Sequence, residues 1–357
     1  MEKQSVIQNK LLHIFDWLRF PLMVGVIFIH SYGFISVTEE MKDSFWGMII
    51  EIFSQGIGRL SVPLFFFISG YLFFYKIDQF SKEIFINKLK RRFKSLFLPY
   101  IIWNALCISL YMGLDYLGYH INYLEDKGNN PLTFLRAFIG FDENSLYAYP
   151  AVYQLWFLRD LMIIILLSPI LYFLLNRFKG VFIGIVGLLW VTGFEIPVMS
   201  KYGFSMVSIF FFSSGAYCST NNFSVLDIFG KVKYIGYLYP CFLILDLFTE
   251  SIIIHNIGII SGIILAISLC SYFYDKKKLT PVPFLTSATF FLYAIHEPFL
   301  LSKIRLDIIN HLPVHIPAIA VLGYFASVLL TILISLFLFK LLQKTFPNFT
   351  KLIAGNR

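Results

Sequence analysis

The sequence predicts an all-α polytopic membrane protein of about ten transmembrane helices, with both termini cytoplasmic. Three observations predict it. The 357-residue chain is 58% hydrophobic and 14% charged, whereas soluble domains run at roughly 45–50% apolar and about 25% charged. Apolar runs near the ~20 residues needed to cross a bilayer recur along the whole chain. Lys and Arg gather in alternate connecting loops, as the positive-inside bias requires.

The runs lie at roughly 14–36, 59–75, 95–118, 152–175, 179–195, 202–219, 233–249, 254–274, 283–301 and 317–342. The stretch at 45–58 is too short for a span and suits an interfacial helix leading into the second one. Connections on one side carry Lys76, Lys82, Lys88, Lys90, Arg91, Arg92 and Lys94, then Arg177 and Lys179, Lys231 and Lys233, and Lys276, Lys277 and Lys278. Lys3, Lys10, Lys340, Lys344, Lys351 and Arg357 place both termini with them. The other side has only Lys42, Arg59, Lys127, Arg136, Lys201, Lys303 and Arg305. An even number of spans satisfies this pattern. The longest outer loop, 119–151, holds Glu125, Asp126, Asp142 and Glu143 among aromatics, and long loops without an element of their own are often functional.

Nothing is left over for a fused soluble domain. Residues 1–357 read as a single membrane domain, its helices within about 11–342, and no internal repeat stands out. The polar start MEKQSVIQNKLLH reads as a retained first helix rather than a cleaved leader. The net charge of +8 follows from membrane topology and calls for no nucleic acid. Cys107, Cys218, Cys241 and Cys270 are scattered in apolar runs, with no disulfide or metal-site spacing.

Ionisable groups within spans are costly, so each is a functional candidate. The first span, FDWLRFPLMVGVIFIH, carries Asp16, Arg19 and His30. From Arg19 to His30 the helix advances about 1,100°, close to three full turns, so the two share a face about 16 Å apart along the axis. Asp16 is three residues before Arg19 and can pair with it. Arg19 falls near the inner surface and His30 in the outer half. Two readings remain open on pattern alone: a snorkelling anchor with a helix-contact histidine, or a functional pair. In the ninth span, FLYAIHEPFL places His296 and Glu297 before Pro298, His296 about 20 Å from the inner end and so near the depth of His30. Pro298 can end or kink the helix there. Asp246 and Glu250 are either a polar lining or a solvated helix end, the second being favoured. The basic loop KEIFINKLKRRFKSLFLPY is a topology signal or a clamp for an anionic group.

These residues resemble the acyltransferase-3 family of integral membrane acyltransferases. The resemblance rests on Arg19, ten residues, then His30, preceded by Asp16; on VPLFFFISGYLFF, with Ser69 and Gly70 in the family's FF-x-SG position; on KRRFKSLFLPY; on QLWFLRDL; and on LYAIHEPF. It covers about 11–342. The family often has Arg-x-x-Arg in the basic segment, where this chain has Arg91 and Lys94. The resemblance implies O-acylation of a glycan or lipid-linked glycan by a protein of the bacterial cytoplasmic membrane. The donor would be cytoplasmic acetyl-CoA or another acyl-CoA, with no permanently bound cofactor and no metal. It implies that Arg91, Arg92 and Lys94 hold CoA phosphates, that Arg19 with Asp16 orients the thioester end, and that His30 deprotonates the acceptor hydroxyl or carries the acyl group. Ser69, His296 and Glu297 are further candidate pocket residues, Ser69 as an oxyanion donor or merely as part of a close-packing Ser-Gly pair.

Three other functions compete. A transporter or flippase of a glycan or lipid-linked intermediate would move substrate without consuming acyl-CoA, and usually shows repeat symmetry. An assembly subunit would use the polar groups only between helices. A glycosyltransferase would draw on the acids of the 119–151 loop.

Overall fold

A computed structural model describes residues 2–37, 39–77, 79–118, 136–140, 149–197, 200 and 203–355. Glu125, Asp126, Asp142, Glu143, Lys127 and Lys201 lie outside the described residues. All regular secondary structure in the described residues is helical, as expected of a chain whose backbone groups must be satisfied internally in lipid. The main helices are α1 (Glu2–His30), α2 (Phe45–Glu51), α3 (Ser61–Phe74), α4 (Lys82–Arg92), α5 (Leu98–Tyr116), α6 (Trp156–Leu166) and α7 (Ser168–Val191). They continue with α8 (Met206–Thr220), α9 (Tyr239–Thr249), α10 (Ile252–Asp275), α11 (Pro283–Ile295), α12 (Leu301–His311) and α13 (Pro317–Thr345). Among the described residues, seven helical segments are long and apolar enough to cross a membrane, and α9 is a shorter apolar helix. Leu188, Leu322 and Phe337 on two of these segments remain exposed, as expected where lipid is the solvent.

Several elements differ from the sequence reading. The second span begins earlier, because Phe45–Phe74 is one helical run of 30 residues. A wide turn at Ile52–Ile57 carries the helix through the segment expected to be interfacial. The basic segment is no loop: Lys82–Tyr116 is helical throughout. Ser81 caps it by accepting from Ile84 N at 3.3 Å, and no proline interrupts it before Pro99. Residues 168–191 form one apolar stretch, yet Lys179 at φ 51, ψ −131 breaks α7 at the expected boundary between the fourth and fifth runs. Pro298 does break its helix, since Glu297 is extended (φ −134, ψ 147) between α11 and α12.

The most extensive helix contact joins α3 to α8. A Cβ on Gly70 would sit 2.0 Å from the Phe212 carbonyl oxygen, and one on Gly215 would sit 2.0 Å from the Phe67 carbonyl oxygen. The contact is reciprocal, and the paired segments are near copies: FFFISG at 65–70 and FFFSSG at 210–215. The two copies are only six residues long and lie in separate apolar runs, so no longer internal repeat surrounds them. Bundle helices lack a hydrophobic force between them in lipid, so close backbone approach at small residues carries much of their association. Side chains add cross-links: Ser54 donates to the Phe28 carbonyl at 2.7 Å, and Asn256 donates to the Trp190 carbonyl at 2.9 Å. Asp246, expected at a solvated helix end, pairs instead with His255 at 2.7 Å. All four cysteines are free, Cys107 and Cys270 buried.

Because each glycine meets backbone rather than a movable side chain, Gly70→Val and Gly215→Val should each destabilise the bundle by about 1–3 kcal/mol or more. Thermal unfolding of the detergent-purified protein should show a lowered midpoint for both, whereas Gly184→Ala, with open space around it, should leave it unchanged.

Candidate active site

His30 is the last residue of α1, where the chain tightens into the turn Ser31–Ser36. Carbonyls at a helix C-terminus lack internal donors. Arg305 of α12 supplies one, donating from Nη1 to the His30 carbonyl at 3.2 Å. Gly33 makes room, for a Cβ there would meet that nitrogen at 2.7 Å. The His30 ring is held by Tyr153, whose hydroxyl shares a 3.0 Å hydrogen bond with Nδ1. With Nδ1 engaged, Nε2 is the nitrogen left for chemistry.

The His296 ring lies 5.2 Å from the His30 ring, centroid to centroid. The two histidines that sequence places at one depth are therefore neighbours. His296 is fully buried, and its Nδ1 is 2.7 Å from the Tyr293 carbonyl. A carbonyl only accepts, so Nδ1 carries the proton and, in the neutral ring, Nε2 is a bare acceptor. Among the described residues Nε2 has no hydrogen-bond partner. Glu297 is also buried, its carboxylate accepting from Ser302 at 2.6 Å.

The helix break at 296–300 would strand backbone carbonyls, and Gln154 meets them. Its side-chain amide donates to the Ala294 carbonyl at 3.3 Å and to the Glu297 carbonyl. Its backbone carbonyl accepts from the Tyr293 hydroxyl. Gln154 and Tyr153 belong to one short turn, Tyr153–Leu155. That turn thus locks the broken helix and orients His30 together.

A cavity of about 400 Å³ runs along α1 and α3. Met23, Val26 and His30 line it from α1, and Arg59, Val62 and Ser69 line it from the α3 run. Both sets follow helical spacing and so mark single faces. Arg92 and Thr289 also line it, as do Tyr149 and Tyr153. Arg19 continues the Met23–Val26–His30 stripe by one turn but does not itself line the cavity. It pairs with Asp16 at 2.9 Å and stands near enough to Arg92 for their charges to interact. Arg92 borders a second, largely apolar cavity of about 540 Å³ with Lys90, Lys94 and Phe93. Of the predicted residues, His30, Ser69 and Arg92 share the main cavity. His296 abuts His30, Glu297 neighbours His296, and Lys94 lines only the second cavity. Arg91 is exposed and lines neither.

Tyr153, Arg59 and Arg305 were not singled out by the sequence, and Gln154 entered only as the first residue of QLWFLRDL, with no role assigned. Tyr153 immediately precedes the QLWFLRDL motif, a signal of position only. Arg59 had one readable clue: it is one of the few outer-side cations and stands at the start of an apolar run.

The acyltransferase domain family matches residues 12–340. The chain is 29% identical over 229 residues to the succinoglycan biosynthesis protein ExoH of Rhizobium meliloti (strain 1021), covering 62% of this chain and 58% of that protein. The chain thus spans under two thirds of that relative's length. No solved structure matches.

Replacing Gln154 with Leu leaves the Ala294 and Glu297 carbonyls buried without their donor. Each such loss costs about 1–3 kcal/mol. Gln154→Leu should therefore lower the thermal midpoint well beyond the effect of Thr192→Ala, an exposed control, in the same detergent-purified preparation.

Proposed function

The chain belongs to the acyltransferase-3 family, and we propose that it moves an acyl group, acetyl in the first instance, from cytoplasmic acyl-CoA to a hydroxyl of a cell-surface glycan or lipid-linked glycan precursor. The observation that supports this reading is the single cavity reaching from Arg92 to a tethered His30 along matched faces of two helices.

The proposed topology has ten crossings of the bacterial cytoplasmic membrane, with both termini on the cytoplasmic side. Residues 156–178 form the fourth crossing, and those after Lys179 the fifth. The Arg92 end of the cavity then faces the cytoplasm, where acyl-CoA is available. Arg92, with Arg91 and Lys94 nearby, holds the CoA phosphates; Arg as a fork and Lys as a point charge both suit that task. Arg19, steadied by Asp16, orients the thioester end.

At the other end, His30 Nε2 takes the proton of the acceptor hydroxyl. Imidazole suits this role because its ordinary pKa lies near neutrality. The hydroxyl oxygen bonds to the thioester carbon, giving a tetrahedral intermediate. The carbon–sulfur bond then breaks, and the proton held by His30 passes to the departing CoA sulfur. Tyr153 fixes which imidazole nitrogen faces the reaction. Ser69, on the cavity wall, is placed to donate to the oxyanion. His296 and Glu297 support His30 from behind.

Two outcomes test the proposal. General base catalysis contributes about 10²–10⁴-fold, so His30→Ala should abolish measurable glycan O-acylation by NMR of surface polysaccharide while membrane expression stays normal. Arg19→Ala should lower it. Full acylation in well-expressed His30→Ala would sink the mechanism. Charge reversal at Arg91 and Arg92 together should weaken acyl-CoA binding to purified protein by at least about tenfold, the loss of one charged contact. Unchanged binding would leave those cations a topological role alone.

A further inference from the structure

Arg59 is the residue in the cavity whose charge the reaction above does not use. It follows the wide turn at Ile52–Ile57 and precedes Ser61, the first residue of α3. Its side chain lines the cavity at the His30 end, with Tyr149 and Tyr153, and its charge acts on His30 and on Tyr149. Gln55 fixes it from one side, accepting from Nε at 2.7 Å. Among the described residues, its two terminal nitrogens have neither a hydrogen-bond partner nor a carboxylate. The nearest acid on its own helical run, Glu51, is engaged by the Tyr32 hydroxyl at 2.5 Å.

Arg59 is an exposed residue, so its guanidinium is open to the space it lines rather than sealed among helices. Here the second cation beside His30, Arg305, is occupied by the His30 carbonyl and lies near Glu297. Arg59 has its fork held in place and its terminal N–H groups turned loose in an open cavity. That is the arrangement of a receptor for a planar anion, which two parallel N–H donors recognise as a pair.

We propose that Arg59, oriented by Gln55, is a carboxylate-binding subsite beside His30, so that one of the two substrates enters the cavity carrying a carboxylate. This rests on the acyl-transfer reading. Two sources share the chemistry: the far end of a dicarboxylic acyl group such as succinyl, or an acidic sugar in the acceptor. The Tyr149 and Tyr153 hydroxyls flank the subsite and can donate to either.

The test compares wild-type protein, Arg59→Gln and Arg59→Lys, each purified in full length. Binding of succinyl-CoA and acetyl-CoA is measured by titration calorimetry, and binding of methyl glucuronide and methyl glucoside by saturation-transfer NMR. Loss of an Arg–carboxylate contact reads as about 10- to 100-fold. If the donor carries the carboxylate, Arg59→Gln loses succinyl-CoA affinity by that factor and keeps that for acetyl-CoA. If the acceptor carries it, only glucuronide binding is lost. Arg59→Lys keeps the charge and so the fold, but it replaces the fork by a point charge and should fall between.

Equal losses for charged and neutral ligands, or no loss for any, would overturn the subsite. So would wild-type protein that binds the charged member of each pair no better than the neutral one. The acyl-transfer reading fails separately, if wild-type protein transfers no acyl group from either CoA thioester to cell-surface glycan, whatever the binding shows.

Discussion

The reciprocal approach of Gly70 to the Phe212 carbonyl and of Gly215 to the Phe67 carbonyl is the contact on which the rest of the bundle turns. It fixes α3 against α8 at backbone distance. One face of α3 is then spent on packing, and the residues at 59, 62, 65 and 69 face the cavity. A larger residue at either glycine would push the helices apart, and lipid offers no hydrophobic force to draw them back. The Ser-Gly pair at 69–70 therefore divides its work: Gly70 makes the contact, and Ser69 borders the open space behind it.

Three departures from regular α-helix accompany the functional candidates. A wide turn at Ile52–Ile57 contains Gln55 and leads into Arg59. A second at Phe93–Phe97 follows Arg92 and contains Lys94. A third at His296–Leu300 begins with the histidine that abuts His30. Such turns recur at functional sites because they redirect side chains that a regular helix would aim elsewhere. They also loosen backbone hydrogen bonding, which must be restored within the bundle. Gln154 does this at the third turn, and in doing so ties its neighbour Tyr153 to the geometry of both histidines.

Charge is distributed by the same economy. Asp16 pairs with Arg19, Asp160 with Arg159 at 3.0 Å, and Asp246 with His255. Lys10 of α1 pairs with Asp275 at the end of α10 at 2.7 Å. Against that background, Arg59 has Gln55 as its hydrogen-bond partner among the described residues, and the proposed carboxylate would meet its remaining donors. The cavity thus carries a cation near each end, Arg92 and Arg59, separated by an apolar middle. An acyl donor with a polar head and a short reactive tail fits that order.

Helical class, membrane residence, the Arg19–His30 stripe and the Ser-Gly contact were all legible in the sequence, because they depend on composition and on a period of about 3.6 residues. His296 was legible as to depth, since rise per residue is constant. The partners of these residues were not. Tyr153 and Gln154 reach His30 and the broken helix from more than 120 positions away in the chain, and no local pattern encodes which distant turn meets which helix. That the two FFF-x-SG segments pack on each other was likewise decided by the fold, whereas the helix of the basic segment rests on local signals, the Ser81 cap and no proline before Pro99. Periodicity places a residue on a face; only the fold of the whole bundle decides what that face meets.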